Sequence, residues 1–197
     1  DGGCCCCCCG GGGGPDPQFA RWSLWMDEVL TFKQMIVIDT GKMGLGWHYR
    51  RSYETVLVAH KGNSCKWYDQ TDRIENIIRP GDYGIRKIKP SREQHPTEKS
   101  PNLAAHFIQL HTQSGEVVLD PFLGSGSTGV AAVNLGRKFI GIEIDSHWFK
   151  VARQKIEQAE WETRGAFFQS SCTRSERRKQ RKGEDGFFSS RKDADQV

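Results

Sequence analysis

The stretch Asp120-Pro121-Phe122-Leu123-Gly124-Ser125-Gly126-Ser127-Thr128-Gly129 puts a carboxylate directly ahead of a glycine-rich turn. Glycines there let the backbone reverse sharply and leave no Cβ between it and an approaching ligand. A second acid, Glu143, closes the apolar run Phe139-Ile140-Gly141-Ile142. If both apolar runs are strands joined through a helix, the two carboxylates meet at the carboxyl ends of adjacent parallel strands, where such sheets bind ligands. A carboxylate at Glu143 can accept hydrogen bonds from both hydroxyls of a ribose. The chemistry implied is a cradle for adenosine.

The spacing alone leaves alternatives. Gly124, Gly126 and Gly129 also satisfy the G-x-G-x-x-G dinucleotide fingerprint, and a glycine turn can exist with no ligand at all. Asp120 argues against a pyrophosphate, because a fixed carboxylate suits a cationic or amino-bearing ligand better. S-adenosyl-L-methionine (SAM) offers both a sulfonium and an ammonium group. About 115 residues precede the unit, whereas a dinucleotide domain usually opens with it.

The elements that must position these groups follow from periodicity. Glu116 to Leu119 reads as a short buried strand, Val130 to Leu135 as a helix stopped by Gly136, Phe139 to Ile142 as the next strand, and His147 to about Glu160 as an amphipathic helix. Strand, turn, helix, strand, helix makes a βαβα unit and a parallel sheet. Pro101 to His111 is a helix with Leu103, Phe107, Ile108 and Leu110 on its apolar side. Earlier, Phe19, Trp22, Trp25, Met26, Val29 and Leu30 recur at helical spacing, with Asp16 and Pro17 as start signals. Phe32–Ile38 and Tyr53–Ala59 read as strands able to pair antiparallel. Residues 61–94 are polar and without a strong period, the mark of a functional or mobile stretch.

Composition limits the rest. A chain of 197 residues with net charge +4 can bury one sizeable core. No apolar run approaches the roughly 20 residues of a membrane span and no signal peptide opens the chain, so a cytoplasmic location is expected. Six of the eight cysteines are consecutive, Cys4–Cys9, and Gly10–Gly14 follow. Neighbouring cysteines lack the spacing of a zinc site or of paired bridges, so no metal is expected and residues 1–15 are read as low-complexity sequence without a fold of their own. Residues 16–165 form the expected domain. Residues 166–197 form a basic disordered tail, with six basic residues among the nine from Arg174 to Lys182.

The domain resembles the β-class DNA amino-methyltransferases, which methylate N6 of adenine or N4 of cytosine. His95-Pro96-Thr97-Glu98-Lys99-Ser100 looks like the family's motif X, Asp120 to Thr128 like motif I, and Gly141-Ile142-Glu143-Ile144-Asp145 like motif II. Met43 to Glu54 is similar to the loop and strand that follow the catalytic half, and this order is the β-class order. The resemblance implies a Rossmann-like SAM-dependent methyltransferase fold, α/β, circularly permuted and truncated. It implies cofactor contacts from Thr97, Lys99, Asp120, Pro121, Phe122, Gly124, Gly126, Thr128 and Glu143, with Thr97 and Lys99 at the methionine end. It also implies double-stranded DNA as partner, with residues 61–94 as the candidate target-recognition region, in a bacterial or phage-like setting.

One part of the family pattern is missing. Its catalytic tetrad, Asp-Pro-Pro-Tyr, accepts protons from the target amine and stacks the flipped base. The nearest match is Asp16-Pro17-Gln18-Phe19, at a helix start where Asp and Pro are expected for capping. The catalytic residues are therefore left unassigned. The pattern reads as loss of the upstream catalytic strand and an internal strand, with the cysteine–glycine run as foreign sequence at the break. Two functions follow as alternatives, a working methyltransferase or a SAM- or DNA-binding remnant of one.

Overall fold

The polycysteine run departs from expectation. It forms a strand, β1 (Cys4–Cys9), paired antiparallel with Tyr53–His60 along six residues. Thiols are small apolar side chains that an extended backbone tolerates, and the edge of a strand offers N–H and C=O groups that require partners. The computed structural model describes residues 4–9, 18–41, 43, 50, 52–62, 66–69, 73–79, 81–84 and 98–171, with backbone alone for 4–9, 18–19, 84 and 166–171.

After β1 come α1 (Gln18–Val29), β2 (Thr31–Asp39), β3 (Tyr53–His60), β4 (Ile77–Ile78) and a 3₁₀ turn (Asp82–Gly84). The remaining elements are α2 (Pro101–His111), β5 (Val117–Asp120), α3 (Ser127–Asn134), β6 (Lys138–Gly141) and α4 (Ser146–Ser171). The expected antiparallel pair is present as β2–β3, with a bulge between Phe32 and Gln34. The sheet order is β1-β3-β2-β4, and β4 joins β2 in parallel. The expected parallel pair is β5–β6, with Val118 opposite Phe139 and Asp120 opposite Gly141, and it is a separate two-stranded sheet. Helix α1 packs on β2 and β3 but leaves Trp25 and Val29 exposed. Helix α4 runs past residue 165 to Ser171, so the boundary expected at residue 165 falls inside a helix.

Helix α2 joins the two sheets. Its Leu103 and Phe107 are buried with Ile38, Val56, Val58 and Ile78 of the larger sheet, while its Ile108 is buried with Ala131 and Ala132 of α3. Val118 and Phe139 pack against that second cluster. Burying a Leu or Phe side chain contributes about 1.5–3 kcal/mol, so both halves of the core depend on this helix. Ser100 caps it, accepting a hydrogen bond from the Asn102 N–H, and Pro101 opens its first turn.

Among the described residues, helices cover only the inner face of β5–β6. On the outer face Val117, Leu119, Ile140 and Ile142 are 54%, 58%, 53% and 56% exposed. The expectation of a buried Glu116–Leu119 strand is therefore corrected, because alternate residues face outward and the described elements lie on one side only.

Arg137 fastens the far end of this unit. Its Nε donates to Thr112 Oγ1 at 3.0 Å, one Nη to Thr112 O at 2.7 Å, and the other Nη to Leu135 O, so one guanidinium closes the ends of α2 and α3. Arg137→Ala is expected to lower stability by about 1.5–3 kcal/mol. Arg137→Lys should recover little of it, since a lysine cannot reproduce the fork. Denaturation midpoints measure both. A lysine variant as stable as the parent would remove the fork from the account.

Candidate functional site

The β5–β6 pairing continues beyond the strands and shapes the turn. The Ile142 N–H donates to Asp120 O at 2.9 Å, the Leu123 N–H to Ile142 O at 2.9 Å, and the Gly124 N–H to Glu143 Oε2 at 2.7 Å. Glu143 Oε1 accepts from the Asp145 N–H at 2.9 Å. One carboxylate thus ties the glycine turn to the end of the neighbouring strand. The Asp145 and Gly124 N–H groups hold the Glu143 carboxyl below the usual carboxylate range, so it is ionised at neutral pH. Each of its oxygens has a further lone pair available to a ligand. Asp120 accepts from the Phe122 N–H at 3.0 Å, which fixes the first bend and leaves Pro121 and Phe122 exposed on the turn.

The glycines divide by task. Gly124, at φ 53, presents its N–H to Glu143. Gly126, at φ 88, is buried under α4, and a Cβ built there would stand 2.9 Å from both Cα and Cβ of Ala152. A Cβ on Gly129 would stand 2.4 Å from Ile156 Cδ1 and 2.7 Å from Phe139 Cε1. Gly126 and Gly129 therefore admit α4 and β6, while Gly124 lies on the accessible side. Gly126 also serves as the N-cap of α3 and supplies no side-chain hydrogen bond. The first-turn N–H groups of α3, around the half-buried Thr128, thus have no side-chain cap and suit an acceptor atom from a ligand. The helix starts three residues earlier than expected because a left-handed glycine replaces the usual capping side chain.

The motif X residues are placed only in part. Thr97 lies outside the described residues, as do Asp16 and Pro17; Gln18 and Phe19 begin α1. Lys99 is ion-paired with Glu54 at the start of β3. Glu98, which the sequence reading did not single out, receives Lys155 Nζ at 2.8 Å. Lys155 stands three residues beyond Ala152 on α4, so the segment opening α2 lies about one lysine side chain and one helical turn from Gly126. Ala152 and Leu123 also escaped the sequence reading. A small residue on the buried side of α4 was the available signal for the first, and an apolar residue inside a polar turn for the second. Among the described residues, no group of three or more His, Cys, Asp or Glu side chains could hold a metal.

As a donor set the site is acidic: two carboxylates, Asp120 and Glu143, at the ends of adjacent parallel strands, with uncapped N–H groups beside them. This matches a ligand rich in hydroxyl and positively charged groups and opposes a pyrophosphate, which rests the dinucleotide alternative on the glycines alone.

Comparison with known proteins agrees. A family model described as DNA methylase, for N6 and N4 methyltransferases, matches residues 1–154. The type II methyltransferase M2.DpnII of Streptococcus pneumoniae is 45% identical over 125 residues, 59% of this chain and 46% of that protein. The DNA adenine methyltransferase YhdJ of Escherichia coli K12 is 41% identical over 75 residues, 38% of this chain and 26% of that protein. The chain thus matches less than half the length of these curated relatives. The crystal structure of the M1.HpyAVI–SAM complex superposes with a TM-score of 0.60 at 32% identity, over 78% of this chain and 74% of that one. The α/β architecture is that of the SAM-dependent DNA methyltransferases, and the chain belongs to the N6/N4 DNA methylase family.

Proposed function

We propose that the Asp120–Glu143 turn holds S-adenosyl-L-methionine, and that the chain is the cofactor-holding part of an enzyme that methylates the exocyclic amine of adenine or cytosine in double-stranded DNA. The observation that carries this is the Glu143 clasp, an ionised carboxylate fixed by two backbone N–H groups beside Asp120 and Gly124. Its remaining lone pairs suit the two ribose hydroxyls. Asp120 suits the positive end of the ligand, and the exposed Pro121–Phe122 bend flanks it. Lys99, tied to Glu54, and Thr97 complete the methionine end. The bound cofactor would supply an electrophilic methyl group. This chain's own residues bind and orient it, and the region 61–94, apart from Ile78 buried in the core, is its candidate target-recognition region. Among the described residues no helix is long and apolar enough to cross a membrane.

Calorimetry with SAM tests the site. Glu143→Ala is expected to weaken binding roughly tenfold or more, the scale of losing a charged acceptor. Glu143→Gln should fall between, because its amide oxygen can serve only one of the two N–H groups. Affinity should also depend on pH with a definite sign. The folded carboxyl titrates below its ordinary value, so the clasp is complete above the usual carboxylate range and is lost as pH falls through the lowered value. Unchanged SAM affinity in Glu143→Ala would sink the assignment.

A further inference from the structure

The 3₁₀ turn holds a residue in a conformation that side chains rarely adopt. Tyr83 has φ 51 and ψ 28, in the left-handed region, and it is the sole non-glycine residue with positive φ among those described. That region is costly for any side chain with a Cβ and free for glycine. Glycines stand close by at Gly81 and Gly84, yet position 83 carries an aromatic ring. Such strain persists where surrounding contacts impose it, and it gathers at ligand-binding positions. Two contacts impose it here. The ring lies on His106 of α2, with centroids 4.0 Å apart and planes tilted 30°, and the Tyr83 carbonyl accepts a hydrogen bond from Ser100 Oγ at 3.3 Å. The residue nevertheless remains 39% exposed, so the arrangement leaves it accessible.

Its surroundings suit a nucleic-acid base. His106 is half-buried and its burial, followed by the proximity of His111, pushes its pKa down, so the supporting ring is uncharged at neutral pH and the pair forms a neutral aromatic surface. Ser100, which pins Tyr83, is two residues from Glu98, and Glu98 connects through Lys155 to the helix covering Gly126. The ring is therefore anchored to the segment that leads to the candidate cofactor turn. In sequence, Arg86, Lys87, Lys89 and Arg92 follow within nine positions of Tyr83, with no acid until Glu93. An aromatic ring with cations nearby in the chain is the combination by which proteins hold unstacked bases.

We propose that Tyr83, supported by His106, is a stacking platform for a base of the DNA substrate, a positioning residue outside the cofactor site. The proposal rests on the DNA reading above. Fluorescence anisotropy with a fluorescein-labelled mixed-sequence duplex, repeated across a salt series, tests it. Tyr83→Gly removes the ring while supplying the residue that this backbone prefers, so its thermal midpoint should equal or exceed the parent's. Its DNA affinity should fall roughly tenfold, the scale of losing one base–aromatic stack. The slope of log Kd against log salt should not change, because the ring neutralises no phosphate. Tyr83→Trp should bind within about twofold of the parent, since it restores a stacking face, and SAM affinity should be unchanged in both variants. A Tyr83→Gly protein that binds DNA as the parent does would overturn the proposal. So would a loss accompanied by a lower thermal midpoint or weaker SAM binding, which would make Tyr83 a structural residue. If the parent chain binds SAM but no DNA, the DNA reading itself fails and this inference falls with it.

Discussion

Given methyl-labelled SAM and mixed-sequence duplex DNA, the 197-residue chain is expected to bind the cofactor and leave the DNA unlabelled. Transfer to a base amine requires an acceptor for its protons and a surface that holds the flipped base beside the sulfonium. No Asp-Pro-Pro-Tyr sequence occurs in these residues. Asp16-Pro17-Gln18-Phe19, the nearest match, leads directly into α1, whose helix begins at Gln18. In the family reading, the catalytic group belongs at the end of a strand beside the glycine turn. Positioning contributes about 7–11 kcal/mol in well-oriented reactions, and proton transfer by a placed group contributes about a hundredfold to ten-thousandfold in rate. Loss of both removes activity below detection in an ordinary labelling assay. Robust labelling abolished by Asp16→Ala would promote that segment to a working variant tetrad. Labelling that survives Asp16→Ala would mean that the catalytic group lies elsewhere in the chain.

The largest effect on stability is expected at Gly126. Gly126→Ala meets two penalties together. Its φ of 88 is left-handed, which costs a residue with a Cβ about 1–3 kcal/mol. Its Cβ would also stand 2.9 Å from Ala152 Cα and Cβ, atoms of a helix that can yield only by moving as a whole, and overpacking of this kind costs about 1–3 kcal/mol. Together they amount to about 2–6 kcal/mol, a large share of the stability of a single domain. Movement of α4 would also displace the first turn of α3, so SAM affinity should fall with stability. Gly115→Ala is the control: its φ of 83 is similar, but nothing lies within 4 Å of the added Cβ. Chemical denaturation of the two variants separates backbone strain from packing. Equal losses would show that the seat of Ala152 carries none of the effect.

These residues also show how far the fold could be read from sequence. Helix α2 was legible to the residue, since Ser100 and Pro101 give a local start signal and the apolar stripe is complete. The β5–turn–α3–β6 unit and the pairing of β2 with β3 were legible for similar reasons: short-range chemistry fixes them. The start of α3 was not, because Gly126 caps it by a left-handed backbone and without a side chain, and a glycine in sequence reads equally well as a break. Asp120, Gly124 and Glu143 could be named as a group because the strand register brings them together. The division of labour among the glycines could not be, because it depends on Ala152 and Ile156, more than twenty residues further along the chain. The strand at Cys4–Cys9 was missed because low-complexity composition says nothing about which edge a segment will meet. Tyr83 was invisible as well. Nothing in the residue type announces a left-handed backbone.

The outer face of the β5–β6 sheet has a consequence in terms of sequence drift. Val118 and Phe139 are held by the packing of α2 and α3, so any change there is felt by the whole domain. Val117, Leu119, Ile140 and Ile142 meet no such constraint from the described elements, since more than half of each is exposed. The folding of this unit alone would accept threonine or lysine at all four. Selection for folding therefore acts on every second residue of these strands, and the intervening positions are free to record a different history. Four aliphatic residues at such positions are what burial against a further element would call for, written in the half of each strand that the described core does not read.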